Sequence, residues 1–424
     1  MERRKVTFKL YPNAKESEQL SAWVRLHCEL YNAALEERID AYLKHGKSIS
    51  YFDQQNVLPE IKAARPELAA LGSHALQQTL RKLDLAFQSF FRRVKAGQTP
   101  GFPRFKASKR FAGFCYPDPA GWKVLQEGTR GATVRVGSGK DAMMLRARGQ
   151  HRFGSEAVPN DLTISRKNGQ WYASVTLRVP EAACARERTD NRHRGVDFGI
   201  TDWATFDDGA TIANPRWVRN ELPRLAKLQR ERARKHKGSV RYKRLSQQTA
   251  ALHERIANLR REFLHQTTAA LVRTCVVLAT EELKTRNMSR SAKGTMDKPG
   301  KMVKQKAGLN REIFSAGLGM AHQMLAYKAV EAGTRLHVSN TRQLKPSQRC
   351  AKCWAIVPKT LAQRMHVCPC GHTMQRDQNS ALVVLIDAHT PGTGVAARPK
   401  PLARQRAKSK SLTRETPATT SQGV

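Results

Sequence analysis

Acidic residues at three distant places in the sequence have the settings of a metal-dependent hydrolase site. Asp197 lies in GVDFGI, a predicted strand in which Gly195 and Gly199 flank it on the same face. Two adjacent acids, Glu281 and Glu282, follow the apolar run CVVLAT, and Asp377 is the second residue of the helical pattern RDQNSALVVLIDAH. The ends of alternating strands and helices can meet at one edge of a sheet, so these acids are candidates for a single site.

Converging carboxylates repel one another unless a cation lies between them. Mg²⁺ and Mn²⁺ prefer such oxygen ligands and also bind phosphate oxygens and water. Ions held in this way assist phosphodiester cleavage, because they activate water and stabilise the leaving oxygen. The pattern therefore favours a nuclease. For Asp197 taken alone, the alternative is an ordinary carboxylate on an edge strand.

The charge balance indicates the kind of substrate. The chain of 424 residues carries 75 Lys and Arg against 35 Asp and Glu, a formal net charge of +40 that is spread over most of its length. A surface this basic gains free energy by releasing counterions from phosphates, so nucleic acid is a better partner than an anionic membrane. The length predicts two or more domains.

Cysteine pairs precede Asp377 and have the pattern of a zinc ribbon. CAKC has the usual two-residue spacing, and CPC, further along, is a tighter pair. In the second pair, His366 or His372 is the alternative donor. A ribbon that folds by packing alone, without metal, is the other alternative. We predict zinc bound by Cys350, Cys353, Cys368 and Cys370.

The sequence also predicts where the protein acts. No apolar run approaches the roughly 18 residues that span a bilayer, and the first residues, MERRKVTFKLYP, lack the apolar core of a signal peptide. We therefore expect a cytoplasmic prokaryotic protein, associated with the nucleoid and without a membrane partner. In that reducing compartment, cysteines serve as metal ligands or buried thiols more often than as disulfides.

Hydrophobic periodicity places the candidate groups on alternating elements. The pattern is strand-like over 4–10 and helical from there to about Lys95. Strands are expected next at KVLQEG, TVRVGS, HRFG and QWYASVTLRV. They are followed by a hairpin over 193–213 with its turn at Asp208-Gly209, two long helices around a KGS turn, the strand CVVLAT, one helix over NREIFSAGLGMAHQMLAYKAVEAG and the strand TRLHVSN. The residues 391–424, rich in Pro, Ser, Thr and cations, predict a disordered basic tail.

Two basic segments are candidate nucleic-acid contacts. In GFPRFKASKRF, cations alternate with phenylalanines, a combination that suits backbone phosphates together with unstacked bases. The alternative is a surface loop with buried aromatic anchors. The two long helices have strongly basic outer faces. The candidate residues are Arg104, Lys106, Lys109 and Arg110 in the loop, and Arg234, Lys235, Arg241 and Lys243 on the helices.

Several motifs together resemble the TnpB (OrfB-type) family of transposon-encoded proteins, which are related to the small type V CRISPR effectors. GVDFGI, the acids after CVVLAT, and RDQNSA after a cysteine cluster are similar to the three RuvC-type motifs of that family. LQQTLRKLDLAFQSFFRRVKAGQTPGFPRFK and KGSVRYKR also resemble family segments, in the family's order. The resemblance covers about residues 4–386.

The resemblance implies an RNA-guided DNA endonuclease of a transposable element. A guide RNA from the transposon end would pair with one strand of a double-stranded DNA target, and one RuvC-like site would cut the DNA. The family pattern assigns Asp197, Glu281 rather than Glu282, and Asp377 as catalytic ligands of Mg²⁺ or Mn²⁺. It also places a zinc ligand at Cys370, although its usual partner position is held here by Val367.

The resemblance also implies a multidomain α+β fold. Residues 1–10 and 112–188 would form a β platform, or wedge, and 11–111 a helical recognition domain inserted into it. An RNase H-like (RuvC) nuclease domain would comprise 189–345 and 374–390, with a zinc ribbon that binds target nucleic acid inserted at 346–373. The tail at 391–424 lies outside the resemblance.

Other functions remain open at this level. An RNA-guided repressor that binds DNA without cutting it, or an accessory protein in transposition, would share most of these features, but it would not need three intact acids. A small type V CRISPR effector would differ in the origin of its guide RNA.

Overall fold

The computed structural model of the chain describes residues 2–128, 130–137, 139, 142–149, 153–154, 156–180, 187–360 and 362–390. The chain divides into two compact units. Unit 1 comprises Met1–Ala185 with Ser246–Ala251, and unit 2 comprises Arg186–Leu245 with Leu252–Val424. The predicted tail at 391–424 lies outside the described residues.

Unit 1 begins with a strand and continues with helices. Strand β1 is Glu2–Leu10, followed by α1 (Ala14–His45), α2 (Tyr51–Asn56), α3 (Leu58–Ala64) and α4 (Ser73–Lys95). A capping box starts α1, because Asn13 Oδ1 accepts from the Glu16 amide at 2.9 Å and Glu16 Oε2 accepts from the Asn13 amide at 2.8 Å. Gly46, with φ of 61°, ends that helix. These elements confirm the predicted strand and helical segment.

The sheet of unit 1 is antiparallel and joins β1 to six further strands. These are β2 (Gly113–Tyr116), β3 (Trp122–Glu127), β4 (Gly131–Val136), β5 (Met143–Arg148), β6 (Val158–Lys167) and β7 (Gln170–Val179). The strand order is β2-β6-β7-β1-β5-β4-β3, so β1 lies inside the sheet, between β7 and β5. The predicted strand at HRFG is wrong for Phe153 and Gly154, which lie in no strand, and its other two residues are outside the described part.

A buried histidine makes unit 1 sensitive to acid. His27 on α1 stacks on Phe114 at 4.9 Å between ring centroids, and its Nδ1 shares a hydrogen bond of 2.7 Å with Thr79 Oγ1. Burial lowers the pKa of His27 from 6.5 to about 3, and the charge of Lys82 contributes to the decrease. Below pH 6.5, His27 binds a proton in the unfolded chain but stays neutral in the folded chain down to its lowered pKa. The free energy of unfolding therefore decreases as the pH falls.

Replacement of His27 should reduce this sensitivity. At pH 5 the shift corresponds to about 2 kcal/mol of lost stability. We expect His27→Gln, which does not titrate, to lose about that much less stability than the wild type between pH 7 and pH 5. Hydrogen exchange of α1 and α4 amides, corrected for intrinsic rates, measures the difference. Parallel pH profiles for the two proteins would show that His27 is not responsible.

Unit 2 alternates strands with helices. Its first elements are β8 (Arg192–Phe198), β9 (Asp202–Phe206), β10 (Thr211–Ala213), α5 (Trp217–Ala233), α6 (Val240–Arg273) and β11 (Cys275–Glu281). Then follow α7 (Thr285–Met288), α8 (Val303–Ala316), α9 (Leu318–Ala332), β12 (Arg335–Ser339), α10 (Thr341–Leu344), β13 (Met365–Val367), β14 (Thr373–Gln375) and α11 (Arg376–His389). The predicted single helix over NREIF to EAG is wrong, because Gly317, with φ of 69°, separates α8 from α9.

The main sheet of unit 2 has the strand order β10-β9-β8-β11-β12. The first three strands pair antiparallel, whereas β8, β11 and β12 are parallel to one another. One face packs against a core that includes Phe198, Leu278 and Leu325, and the other contacts apolar residues of α11 such as Val383. Among the described helices, none is long and apolar enough to cross a bilayer.

Candidate active site and metal centre

Helix α11 lies directly against strand β8 at Gly195. A Cβ atom on Gly195 would lie 1.9 Å from the carbonyl oxygen of Ala381, so this close approach requires glycine. Side chains alternate along a strand, so Asp197 is on the same face as Gly195, the face that α11 covers. Asp377 is in the first turn of the same helix. The packing therefore brings Asp377 toward Asp197.

Glu281 reaches this region from the neighbouring strand. β11 is parallel to β8, with Thr280 paired to Val196, so Glu281 and Asp197 each come directly after a paired residue. Ala279 packs in one apolar cluster with residues of α11. By alternation, Glu281 is on that face too.

The adjacent acid, Glu282, has a different environment. Its position in the alternation is opposite to that of Glu281, and its carboxylate pairs with Lys284 at 3.1 Å. The geometry therefore separates two acids that the residue pattern alone left equivalent.

The three carboxylates influence one another electrostatically. Burial raises the pKa of Asp197 well above its usual range, and the charges of Glu281 and then Asp377 raise it further. Burial raises the pKa of Glu281 to about 7, a hydrogen bond with Thr341 opposes the shift, and the charge of Asp377 adds to it. A half-buried acidic set of this kind is stabilised by a bound proton or cation.

Neighbouring polar residues hold these acids, and the sequence did not single them out. Arg376 donates to Asp377 Oδ1 from Nε at 2.9 Å and approaches the same oxygen with Nη2 at 2.8 Å. Ser380 hydrogen-bonds Asp197, and Thr341 hydrogen-bonds Glu281. Helical spacing could have indicated Ser380 as a neighbour of the acids, since it lies about one turn after Asp377 on the same helix.

The two cysteine pairs come together in unit 2. The sulfurs of Cys350, Cys353, Cys368 and Cys370 all lie within 4.8 Å of one another. The Sγ atoms of Cys350 and Cys370 are 3.8 Å apart, and those of Cys353 and Cys368 are 3.5 Å apart. Four sulfurs at about 2.3 Å from a tetrahedral zinc ion would stand about 3.8 Å from one another, so this donor set fits zinc.

Among the described residues, these cysteines are the one group of three or more Cys, His, Asp or Glu side chains whose donor atoms meet this closely. The three acids are accordingly spaced more widely than the thiols. Neither alternative donor belongs to this group. His366 is buried and its Nδ1 contacts Lys359 Nζ, and His372 is half-buried. A tight turn explains how both cysteines of CPC can direct their sulfurs to one metal site. Gly371 has φ of 82°, and its amide donates to the Cys368 carbonyl at 2.9 Å.

The predicted nucleic-acid residues are mostly exposed. Arg104, Lys109 and Arg110 in unit 1 are exposed, as are Arg234, Lys235, Arg241 and Lys243 in unit 2. Lys106 is the exception, since it is half-buried with its Nζ 4.1 Å from the ring centroid of Tyr31.

The aromatic residues of the basic loop divide between the two interpretations. Phe111 is only 5% exposed and belongs to the core, whereas Phe102 and Phe105 are 48% and 57% exposed. The loop is therefore anchored by one phenylalanine and presents two others to solvent.

Comparison with known proteins assigns the chain to a family. The family profile described as "OrfB_IS605: Probable transposase" matches residues 173–292, and "Cas12f1-like, TNB domain" matches 319–384. A protein of Escherichia coli (strain K12), named "Putative RNA-guided DNA endonuclease InsQ", is 31% identical over 386 residues, which cover 90% of this chain and 91% of that protein. The chain belongs to the TnpB (OrfB-type) family.

Two further proteins are similar to this chain. A "Putative RNA-guided DNA endonuclease" of Streptomyces pristinaespiralis is 31% identical over 396 residues, covering 90% of this TnpB-family chain and 89% of the relative. The solved structure described as "Cryo-EM structure of the Cas12f1-sgRNA-target DNA complex" aligns with 91% of this chain and 99% of its own, at 12% identity and a TM-score of 0.34.

Proposed function

We propose that this TnpB-family chain is an RNA-guided DNA endonuclease of a transposable element. The names of relatives at 31% identity over about nine-tenths of both chains support that activity. The observation that carries the proposal is the convergence of Asp197, Glu281 and Asp377, from three separate elements, in a protein of net charge +40. A protein that only bound DNA would not need to keep three mutually repelling acids together.

We assign the catalytic site to an RNase H-like (RuvC) domain formed by 189–345 and 374–390. The mixed sheet of unit 2 supports this assignment, because its antiparallel β8-β9-β10 section continues into parallel β11 and β12. The zinc ribbon is assigned to 346–373, between the two parts of that domain. The β platform at 1–10 and 112–188, most of which belongs to unit 1, and the helical recognition domain at 11–111 would hold nucleic acid.

Asp197, Glu281 and Asp377 are the residues that would hold Mg²⁺ or Mn²⁺. Bound there, divalent cations would activate water and neutralise charge during phosphodiester hydrolysis. The raised pKa values of Asp197 and Glu281 fit this role, since burial first and neighbouring negative charge second disfavour the ionised acids, and a bound cation would offset both. Arg376 fixes the orientation of the Asp377 carboxylate through two contacts to Oδ1.

The partners follow from the proposed activity. A guide RNA from the transposon end would pair with one strand of double-stranded DNA, so base pairing would read the sequence and the protein would bind mainly backbone and shape. The proposed setting is the cytoplasm of a prokaryote, at the nucleoid. A small type V CRISPR effector is the second candidate, favoured by the match of residues 319–384 to the Cas12f1-like domain.

Sequencing of bound RNA distinguishes these functions. The protein should be purified from cells that carry its gene with the natural flanks, and the RNA that remains bound should be sequenced. RNA that matches the flank of the gene is the expected result. Repeat-derived RNA would support a CRISPR effector, and the absence of any enriched RNA would contradict RNA guidance.

The exposed cations at the α5–α6 junction should contribute to the salt dependence of RNA binding. Each phosphate contact adds roughly 0.7 to 0.9 to the slope of log affinity against log salt. Replacing Arg234, Lys235, Arg241 and Lys243 together by Gln should therefore lower the slope by up to about 3. Filter binding at several salt concentrations measures the slope. As a control, exchanging Arg for Lys and Lys for Arg at the same positions conserves the charge and should leave the slope unchanged. An unchanged slope in the Gln variant would show that these residues do not contact the RNA.

A further inference from the structure

Asn379 links the cysteine ribbon to the helix that carries Asp377. Its side chain is fully buried, two residues after Asp377 in the first turns of α11. Its Nδ2 donates to the Arg349 carbonyl at 2.7 Å, and its Oδ1 accepts from the Ala351 amide at 3.1 Å. These two backbone groups lie on either side of Cys350. The amide side chain therefore binds the backbone around Cys350, here called the knuckle, with one donor and one acceptor, as a neighbouring peptide strand would.

The neighbouring residues strengthen this link. Strand β14 of the ribbon ends at Gln375, and α11 begins at the next residue. The Arg376 amide donates to the Arg364 carbonyl at 2.7 Å, and Arg376 Nη1 donates to the Gln363 carbonyl at 3.2 Å. The start of α11 is thus held by the ribbon on both sides of Asp377.

Gln378 makes the corresponding contact with the sheet. Its Nε2 donates to the Asp207 carbonyl at 3.2 Å, in the turn between β9 and β10. Asp377 therefore lies between one residue bonded to the sheet and others bonded to the ribbon. A small movement of the ribbon would displace the carboxylate relative to Asp197 and Glu281.

Local helix energetics do not explain an asparagine here. Asparagine is an unfavourable residue inside a helix, where it costs roughly half a kcal/mol or more relative to alanine. Asn379 lies inside α11, and the residue that precedes the helix, Gln375, makes no side-chain capping bond. Both polar groups of the Asn379 amide are bonded to the knuckle, so the contact with the ribbon accounts for the residue.

We propose that Asn379 is a positioning residue through which the four-cysteine ribbon fixes Asp377 in the nuclease centre. The zinc state of the ribbon then sets how tightly the carboxylates bind their divalent cations. This inference rests on the proposed nuclease function. It assigns the ribbon a role in ordering the active site, in addition to contact with nucleic acid.

Two variants separate positioning from folding. Asn379→Ala removes both hydrogen bonds, whereas Asn379→Asp keeps the acceptor for the Ala351 amide and loses the donor to the Arg349 carbonyl. Asn220→Ala is the matched control, because Asn220 is an exposed asparagine in the first turn of α5 that donates to the Pro215 carbonyl at 3.2 Å.

Binding of Mn²⁺ to the full chain without nucleic acid is the primary measurement. We expect Asn379→Ala to weaken Mn²⁺ binding, followed by electron paramagnetic resonance, by about tenfold or more, and Asn379→Asp to weaken it less. Zinc content, RNA binding and guided DNA binding should match those of the wild type and Asn220→Ala. Chelation of zinc should weaken Mn²⁺ binding in the wild type and have a smaller further effect in Asn379→Ala.

The results that would contradict the role of Asn379 differ from those that would contradict the nuclease function. Wild-type Mn²⁺ affinity in Asn379→Ala would overturn the coupling, and so would a parallel loss of zinc and guided DNA binding, which would show a purely structural role. If the wild type bound Mn²⁺ but cut no guide-matched DNA, the nuclease proposal would fail, and the Mn²⁺ comparison would still decide the positioning role.

Discussion

Asp197→Ala should abolish cutting of guide-matched DNA while leaving guided binding nearly unchanged. Asp197 is half-buried and interacts with both other acids, so its loss removes one ligand of the proposed cations without exposing a hydrophobic core. We expect the single-turnover cleavage rate to fall by at least about a thousandfold, or about 4 kcal/mol of barrier. Cleavage and binding should be measured on the same RNA–protein preparation.

Glu281→Ala and Glu282→Ala form the matched pair for this prediction. Glu281 shares the site with Asp197, whereas Glu282 pairs with Lys284 at 3.1 Å. Glu281→Ala should behave like Asp197→Ala, and Glu282→Ala should cut nearly as fast as the wild type. Cutting by Asp197→Ala, or equal losses in the two glutamate variants, would contradict this site.

Loss of zinc should unfold the ribbon and remove DNA cleavage. Cys350 is buried and its sulfur lies 3.8 Å from that of Cys370, so Cys350→Ser removes a proposed ligand at the centre of the cluster. A structural zinc site of this kind contributes folding free energy directly. We expect about one zinc per chain in the wild type and a loss of it in Cys350→Ser, measured by elemental analysis of protein purified without added zinc.

Cys115→Ser is the control for this experiment, because Cys115 is a half-buried cysteine of unit 1, outside the four-cysteine group. It should retain zinc and cleavage. Hydrogen exchange over 346–373 should rise in Cys350→Ser and in chelated wild type, and stay low in Cys115→Ser. Wild-type protein without stoichiometric zinc would contradict the metal site, and a ribbon that keeps its protection without zinc would indicate folding by packing alone.

The main elements of unit 2 could be predicted from the sequence because their hydrophobic patterns are local. CVVLAT and RDQNSALVVLIDAH form the predicted elements in β11 and α11, and GVDFGI forms the predicted strand as far as Phe198, where β8 ends. The break at Gly317 was missed, because apolar spacing continues through it while the backbone turns to φ of 69°. A positive φ is a backbone property that side-chain periodicity does not report.

The residues around the candidate site were harder to predict because they depend on contacts between distant segments. The family pattern favoured Glu281 over Glu282, but the residues alone left the two acids equivalent, and only the register of β11 against β8 separates them physically. Asn379 lies in the RDQNSA motif, but its contact with the ribbon gave no sequence signal, since its partners, Arg349 and Ala351, are about 30 residues earlier in the chain. Phe111 and Phe102 look alike in sequence, yet one is 5% exposed and the other 48%, which depends on the packing of unit 1.

Reprogramming of the guide tests RNA-directed cleavage most directly. The protein should be loaded with its own RNA scaffold carrying either of two unrelated guide segments, and each complex should be offered both matching DNA targets with Mg²⁺. We expect each complex to cut only the target that matches its guide, and the Asp197→Ala complexes to bind the same targets without cutting. Cleavage that ignores the guide, or no cleavage of either matched target by the wild type, would contradict an RNA-guided endonuclease.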